Sequence, residues 1–166
     1  MQRFERNSTL PAPADAVIAA IASETYLHYR YDEAGVEHCE IEIREDSPTR
    51  FESRVVRHAG TDRVPSFARK FTGDRVTIVQ TQFWDRSATP YTGELHLELQ
   101  GLPGHILTRL SLRDNGDGTS TLQGHGEVEA RIPLVGKRIE KMLLDKVGDG
   151  FEHSAQKIRD YLTEQG

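Results

Sequence analysis

The chain has 166 residues, 36% of them hydrophobic and 28% charged, with a formal net charge of −5 and a single cysteine. This size suits one domain, residues 1–166, that buries roughly 70% of its unfolded surface, and the composition argues against a disordered chain. No apolar run approaches the ~20 residues of a membrane helix, the acidic balance disfavours nucleic acid as main partner, and lone Cys39 excludes an internal disulfide or a cysteine-rich metal site.

In chain order, residues 2–9 alternate as a first strand with Phe4 inward, and the segment MQRFERNSTL has no signal-peptide core. With the cysteine usage this predicts a cytoplasmic protein without stable membrane insertion. Pro11 and Pro13 end the strand. A short helix follows, with Asp15 in its first turn and Val17, Ile18 and Ile21 on its apolar face. Ser23 is a suitable N-cap for a second short helix over Glu24–Tyr31, with Gly35 as its terminator.

From Val36 the hydrophobic period becomes two. Cys39, Ile41 and Ile43 form one face of a strand, and Phe51, Ser53 and Val55 one face of the next, which ends at Ala59-Gly60. Residues 50–75 hold seven basic and three acidic side chains, a surplus of +4 that leaves −9 for the remainder. Two readings fit: arginines on solvent-facing sides of strands, or a basic rim that attracts an anionic ligand. Within 61–74, Phe67 and Phe71 flank Arg69 and Lys70, as either an ordinary connection or a cover at a pocket mouth.

Arg75–Asp85 is a strand with Val76, Ile78, Gln80, Gln82 and Trp84 on one face and Thr77, Val79, Thr81 and Phe83 on the other. The Trp84 face is taken as inward, since the other carries two threonines. That turns Gln80 and Gln82 inside, where buried amides need partners. The reversed assignment, with both glutamines exposed, stays open because periodicity alone does not orient a strand. Three more strands follow, with inner faces Tyr91, Gly93, Leu95, Leu97, Leu99; then Ile106, Thr108, Leu110, Leu112; then Leu122, Gly124, Gly126, Val128, Ala130. Asn115-Gly116-Asp117-Gly118 is a hairpin turn. Its acidic residues lack the spacing of a calcium loop.

A long helix closes the chain from Ile132 to Gly166, with Pro133 in its first turn. Ile139, Leu143, Val147, Gly150, Ser154, Ile158 and Tyr161 make its stripe, flanked by Met142, Phe151 and Leu162. Each of Gly148 and Gly150 costs about 1 kcal/mol relative to alanine in a helix interior. They serve either close packing against the sheet or room for a ligand beside Met142, Val147 and Phe151. The seven histidines fall in no tight ligand spacing. Gly124-His125-Gly126 lacks the third glycine of a dinucleotide turn, and neither a nucleophile elbow nor a phosphate loop is present. No metal or cofactor is expected, and no catalytic pair is marked by spacing.

The order strand, two short helices, six strands, long helix resembles the START-like superfamily, also called SRPBCC or helix-grip. The segment Leu10–Val17 is similar to that superfamily's opening of the first short helix. Ile132–Lys141 and Gln80–Asp85 resemble one uncharacterised branch found mainly in actinobacteria. The resemblance implies an α+β fold: a seven-stranded antiparallel sheet curved around the C-terminal helix, with an internal apolar cavity. Relatives bind lipids, sterols, quinones or plant hormones, and some cyclise or dehydrate polyketides. The oxygenase iron motif of other relatives is absent, and no cyclase residue maps onto this chain.

The expected function is binding of a hydrophobic small molecule (lipid, polyketide or quinone-like). The expected lining is Trp84, Tyr91, Leu95, Leu97, Thr108, Leu110, Val128, Met142, Leu143, Val147 and Phe151, with Gln80 and Gln82 fixing polar groups and Phe67 and Phe71 at the mouth. Two alternatives remain: a cyclase- or dehydratase-like enzyme with Tyr91 as acid–base group, and a protein-interaction module with a packed core.

Overall fold

The computed structural model describes residues 1–32, 38–60, 69–71, 73 and 75–165. Seven strands form one antiparallel sheet: β1 (Gln2–Leu10), β2 (His38–Asp46), β3 (Arg50–Gly60), β4 (Arg75–Asp85), β5 (Tyr91–Leu99), β6 (Gly104–Asp114) and β7 (Ser120–Ala130). Their spatial order is β1-β7-β6-β5-β4-β3-β2. Helices α1 (Ala14–Ile21) and α2 (Glu24–Tyr31) lie between β1 and β2, and α3 (Gly136–Gln165) closes the chain. This is the helix-grip architecture that the resemblance implies, and its seven strands are those marked by the alternation. The expected reading of 61–68, Phe67 included, lies outside the described residues; Arg69–Phe71 form one helical turn.

Register places every inner-face residue. Val55 pairs with Gln80 and Phe51 with Trp84; Gln80 pairs with Leu97; Leu97 with Ile106; Ile106 with Val128. Trp84 is 3% and Gln80 4% exposed, so the Trp84 face of β4 is the inward one and the reversed assignment fails.

Helix α3 lies closest to β1 and β7, and two glycines of β7 allow the approach. A Cβ on Gly126 would overlap the Phe4 ring, and one on Gly124 would stand 2.8 Å from the Phe151 ring. Both aromatic rings therefore occupy space that side chains on β7 would take. Arg159 ties the helix to β1, donating from Nε to the Thr9 carbonyl at 3.2 Å and from Nη2 to the Ser8 hydroxyl.

The start of α3 differs from expectation. Pro133 sits in a turn ahead of the helix, with Leu134 at φ 72°, and Gly136 is the first helical residue. Reversing the chain out of β7 takes a left-handed residue there, which a helix beginning at Pro133 would not permit. The first turn is held by Glu140, which is 4% exposed and accepts the Ala130 N–H at 3.0 Å; the amino group of Met1 lies 3.0 Å from its other oxygen.

Helix α1 has no side-chain cap of its own. Instead Asp114 Oδ2, at the β6–β7 turn, accepts the Ala14 N–H at 3.0 Å, while Asp114 Oδ1 accepts from Gly116 within the turn at 2.8 Å. Gly116 and Gly118 take positive φ, 79° and 89°, as the turn requires. For α2 the expected cap is present: Ser23 Oγ accepts the Tyr26 N–H at 3.2 Å. Tyr26 and Tyr29 then stack on Tyr161, ring centroids 5.2 and 5.0 Å away, which pins α2 to the C-terminal half of α3.

Two outcomes follow. The bond from Ala130 holds the Glu140 carboxyl below its usual range against the opposing pull of burial, with the Met1 amino group and Lys137 adding to it. Its stabilising contribution is therefore present above the unfolded value of about 4.3 and lost as pH falls through the folded one. Chemical denaturation at stepped pH should show Glu140→Gln less stable at pH 7 and less sensitive to acid below about pH 4.3. Gly126→Ala should destabilise by about 2 kcal/mol, because the Phe4 ring must be displaced.

Candidate functional site

The concave face divides into two halves. Over β1, β7 and β6 it is closed: Leu10, Leu112, Leu122, Val128, Ile106 and Leu110 are all buried. Over β2, β4 and β5 the inward residues Ile41, Ile43, Ile78, Gln82, Leu95, Leu97 and Leu99 are only half-buried. Helix α3 shows the same asymmetry. Ile139, Leu143, Ile158 and Tyr161 of its expected stripe are buried, yet Val147, Gly150 and Ser154 in the middle are half-buried. Burial there shifts to Gly148, Phe151 and Ala155, on the side toward β1.

The two glycines accordingly do different things. A Cβ on Gly148 would lie 2.9 Å from an Arg6 guanidinium nitrogen, so close packing accounts for it; a Cβ on Gly150 would meet nothing within 4 Å. Gly150 thus borders open space on the side of the helix that carries Ser154 and faces α2.

Apolar residues gather in two clusters. One joins Trp84, Leu110 and Phe151 with Leu27, Tyr31 and Phe51, and half-buried Tyr91 and Leu95 pack against it. The other joins Val128 and Leu143 with Ile106 and Ile139, and half-buried Phe71, Leu97, Met142 and Val147 pack against it. Where Leu97, Leu99 and Leu143 meet, only about 10 Å3 remains, close to the volume of one water. Thr108, Gln80 and Ser53 are buried on the same face, at 3%, 4% and 2% exposure. Of the expected lining, all described residues stand on this side of the sheet or on the facing helix. Leu110, Val128, Leu143, Phe151 and Trp84 are fully committed to packing, whereas Leu95, Leu97, Gln82, Met142 and Val147 are incompletely covered.

A group centred on Tyr31, a member of the first cluster, includes an arginine that the sequence reading did not select. Arg57 keeps the parity of Phe51, Ser53 and Val55, and so projects from the concave face of β3, opposite Cys39. It donates from Nη2 to Gln80 Oε1 at 3.3 Å, and Gln80 Nε2 donates to the Tyr31 hydroxyl at 2.5 Å. Gln80 is thereby satisfied by the protein itself. Arg57 and Arg30 approach the Tyr31 ring, at 5.3 and 5.0 Å from its centroid. Arg30 also donates to Ser154 of α3 at 3.3 Å. Burial pushes the Cys39 thiol up, while Arg57 draws it down. Extending the strand alternation two residues beyond Val55 would have found Arg57; Arg30 and Tyr31 are set there by the docking of α2.

Tyr91 stands at the other end, beside an open cleft of about 420 Å3 formed with Ile18, Ala19, Asp46, Ser47, Pro48 and Arg86. Its hydroxyl donates to Asp15 Oδ1 at 2.5 Å. That bond, then burial, then the Asp15 and Asp114 charges push it above the ordinary tyrosine range. Arg86 is occupied by the β2–β3 turn, donating to Asp46 at 2.9 Å and to the Ser47 carbonyl. Among the described residues no three His, Cys, Asp or Glu side chains converge as metal ligands, and no helix is long and apolar enough to cross a membrane.

Residues 5–162 match the family described as "Protein of unknown function (DUF2505)". The chain belongs to this family. No curated protein sequence matches significantly. Among solved structures, TTHA0849 from Thermus thermophilus is similar at TM-score 0.67 and 15% identity, over 99% of each chain. The Zhui aromatase/cyclase from Streptomyces sp. R1128 is similar at TM-score 0.64 and 15% identity, over 96% of this chain and 92% of that one. A START superfamily protein from Mycobacterium smegmatis is similar at TM-score 0.56 and 16% identity, over 99% of each. Identities this low establish a shared fold, START-like, and leave the chemistry of the DUF2505 site to its own residues.

Because nothing lies within 4 Å of a Cβ at Gly150, Gly150→Ala should raise stability by about 1 kcal/mol in denaturant titrations, through helix propensity alone.

Proposed function

We propose that this DUF2505 protein binds a hydrophobic small molecule, lipid, polyketide or quinone-like, between α3 and the concave face of β2–β5. The observation that carries this reading is the incomplete cover at the middle of the grip. Apolar Leu95, Leu97, Met142 and Val147 are half-buried, and Gly150, on the same helix as the last two, has no side chain and open space before it. Apolar walls with a few placed polar groups are the usual make-up of such sites. In this reading Trp84, Leu110 and Phe151 form the floor at one end. Val128 and Leu143 form the other, Gln80, Gln82 and Thr108 supply polarity, and Phe71 and Tyr91 stand toward the openings. The protein is proposed to act in the cytoplasm as one domain, as a carrier or sensor.

A cyclase- or dehydratase-like activity is the second reading, supported by the fold shared with an aromatase/cyclase. It ranks lower because the residue best suited to acid–base work, Tyr91, already donates to Asp15 and is made harder to ionise by it.

Titration with N-phenyl-1-naphthylamine, a neutral lipophile that fluoresces in apolar surroundings, tests the reading. A saturable rise is expected, weakened on the order of tenfold by Gly150→Leu, whose side chain fills the space, with the melting temperature kept. No saturable binding, or binding indifferent to Gly150→Leu, would sink it in favour of a packed core that serves a protein partner.

A further inference from the structure

We infer that the ligand of this grip is an amphipathic acid, its carboxylate held by Arg57 and Arg30 over the ring of Tyr31. This rests on the reading of the grip as a hydrophobic binding site and adds the charge of what it takes. Arg57 rises from the concave face of β3, and its Nε is shut from solvent without an acceptor among the described residues. Its one hydrogen bond among them goes to the neutral amide of Gln80, at 3.3 Å. Arg30 reaches the same ring from α2 and, among the described residues, bonds to the Ser154 hydroxyl, also neutral. The nearest acidic side chain on α2's end, Asp32, lies 3.2 Å from Nδ1 of His28. Two guanidinium groups thus share one buried tyrosine with no described carboxylate paired to either.

Holding a cation partly out of water without a counter-charge is costly. An incoming carboxylate removes that cost, and the planar fork of arginine fits it better than a lone ammonium does. The niche also stands where an acid's head would have to be. Tyr31 belongs to the apolar cluster of Trp84 and Phe151, and Arg30 bonds to Ser154, one turn from Gly150, so the acid's chain is proposed to run along α3 past Val147 toward Met142 and Leu97 of the second cluster. Gln80, fixed between Tyr31 and Arg57, holds the guanidinium in place, and Tyr31 supplies a rigid face beneath it.

The test compares hexadecanoic acid with hexadecan-1-ol, equal in chain length and differing in charge, as competitors of N-phenyl-1-naphthylamine at pH 8. The native protein should prefer the acid by on the order of tenfold. Arg57→Gln should erase most of that preference by weakening the acid alone, Arg57→Lys should keep part of it, and Arg30→Gln should reduce it to a lesser degree. Thermal melts establish that each variant is folded. Since Arg30 stands on α2 and bonds to Ser154 rather than to Gln80, it remains informative if Arg57→Gln is not. Equal affinity for acid and alcohol, or a loss in Arg57→Gln that strikes both alike, would overturn the carboxylate assignment while leaving the hydrophobic site intact. Failure of the neutral dye to bind the native protein would instead remove the site, and the assignment with it.

Discussion

Everything in this molecule follows from where the long helix is allowed to touch the sheet. A helix axis ordinarily stands 8–10 Å or so from whatever it packs upon, as the side chains between them dictate. Here β7 presents Gly124 and Gly126, and the rings of Phe151 and Phe4 drop into the places their side chains would fill. The helix is thereby seated over β1 and β7, at one side of a seven-stranded curve, and Arg159 fastens it there. Because the seat is off-centre, β2–β5 touch the helix far less than β1 and β7 do. The lesser burial of Leu95, Leu97 and Val147 accompanies this off-centre seat.

Seen this way, the polar group on the uncovered half has a clear origin. α2 is too short to be stable alone, and it is held by the Tyr26, Tyr29 and Tyr161 rings. That attachment suspends Arg30 and Tyr31 above β3 and β4, where Arg57 and Gln80 meet them. Placement of charge inside the fold thus depends on an aromatic contact at the far end of α3.

The fold was legible in the sequence to a large extent because antiparallel strands with one buried face write their orientation into a period of two. The alternation of β4 left open which of its faces turns inward, whereas the Asn115–Gly118 turn and the Ser23 cap emerge from local chemistry. The beginning of α3 did not, since Pro133 suits both a first helical turn and the turn before it, and only the left-handed Leu134 decides between them. That Leu95, Leu97 and Val128 share the concave face was legible for the same reason as the strands. Arg57 was not, although it obeys the same alternation, because charged residues on strands are assigned outward by habit of burial statistics. Arg30 and Tyr31 belong to a helix whose docking is set by residues more than a hundred positions away, and no local pattern encodes that. The unequal roles of Gly148 and Gly150 were equally invisible. They depend on Arg6 covering one and nothing covering the other.

The cap on α1 bears on how the chain assembles. Its first free N–H is bound by Asp114, a hundred residues later in the sequence, and eight residues form too short a helix to persist in water by themselves. The early part of the chain therefore waits on the late part. The β6–β7 hairpin, closed by its own glycines, must exist before α1 has a lasting start, and α1 in turn carries Asp15 to Tyr91. The start of α1 and the Asp15–Tyr91 bond thus join parts of the chain far apart in sequence, contacts of the kind that slow folding.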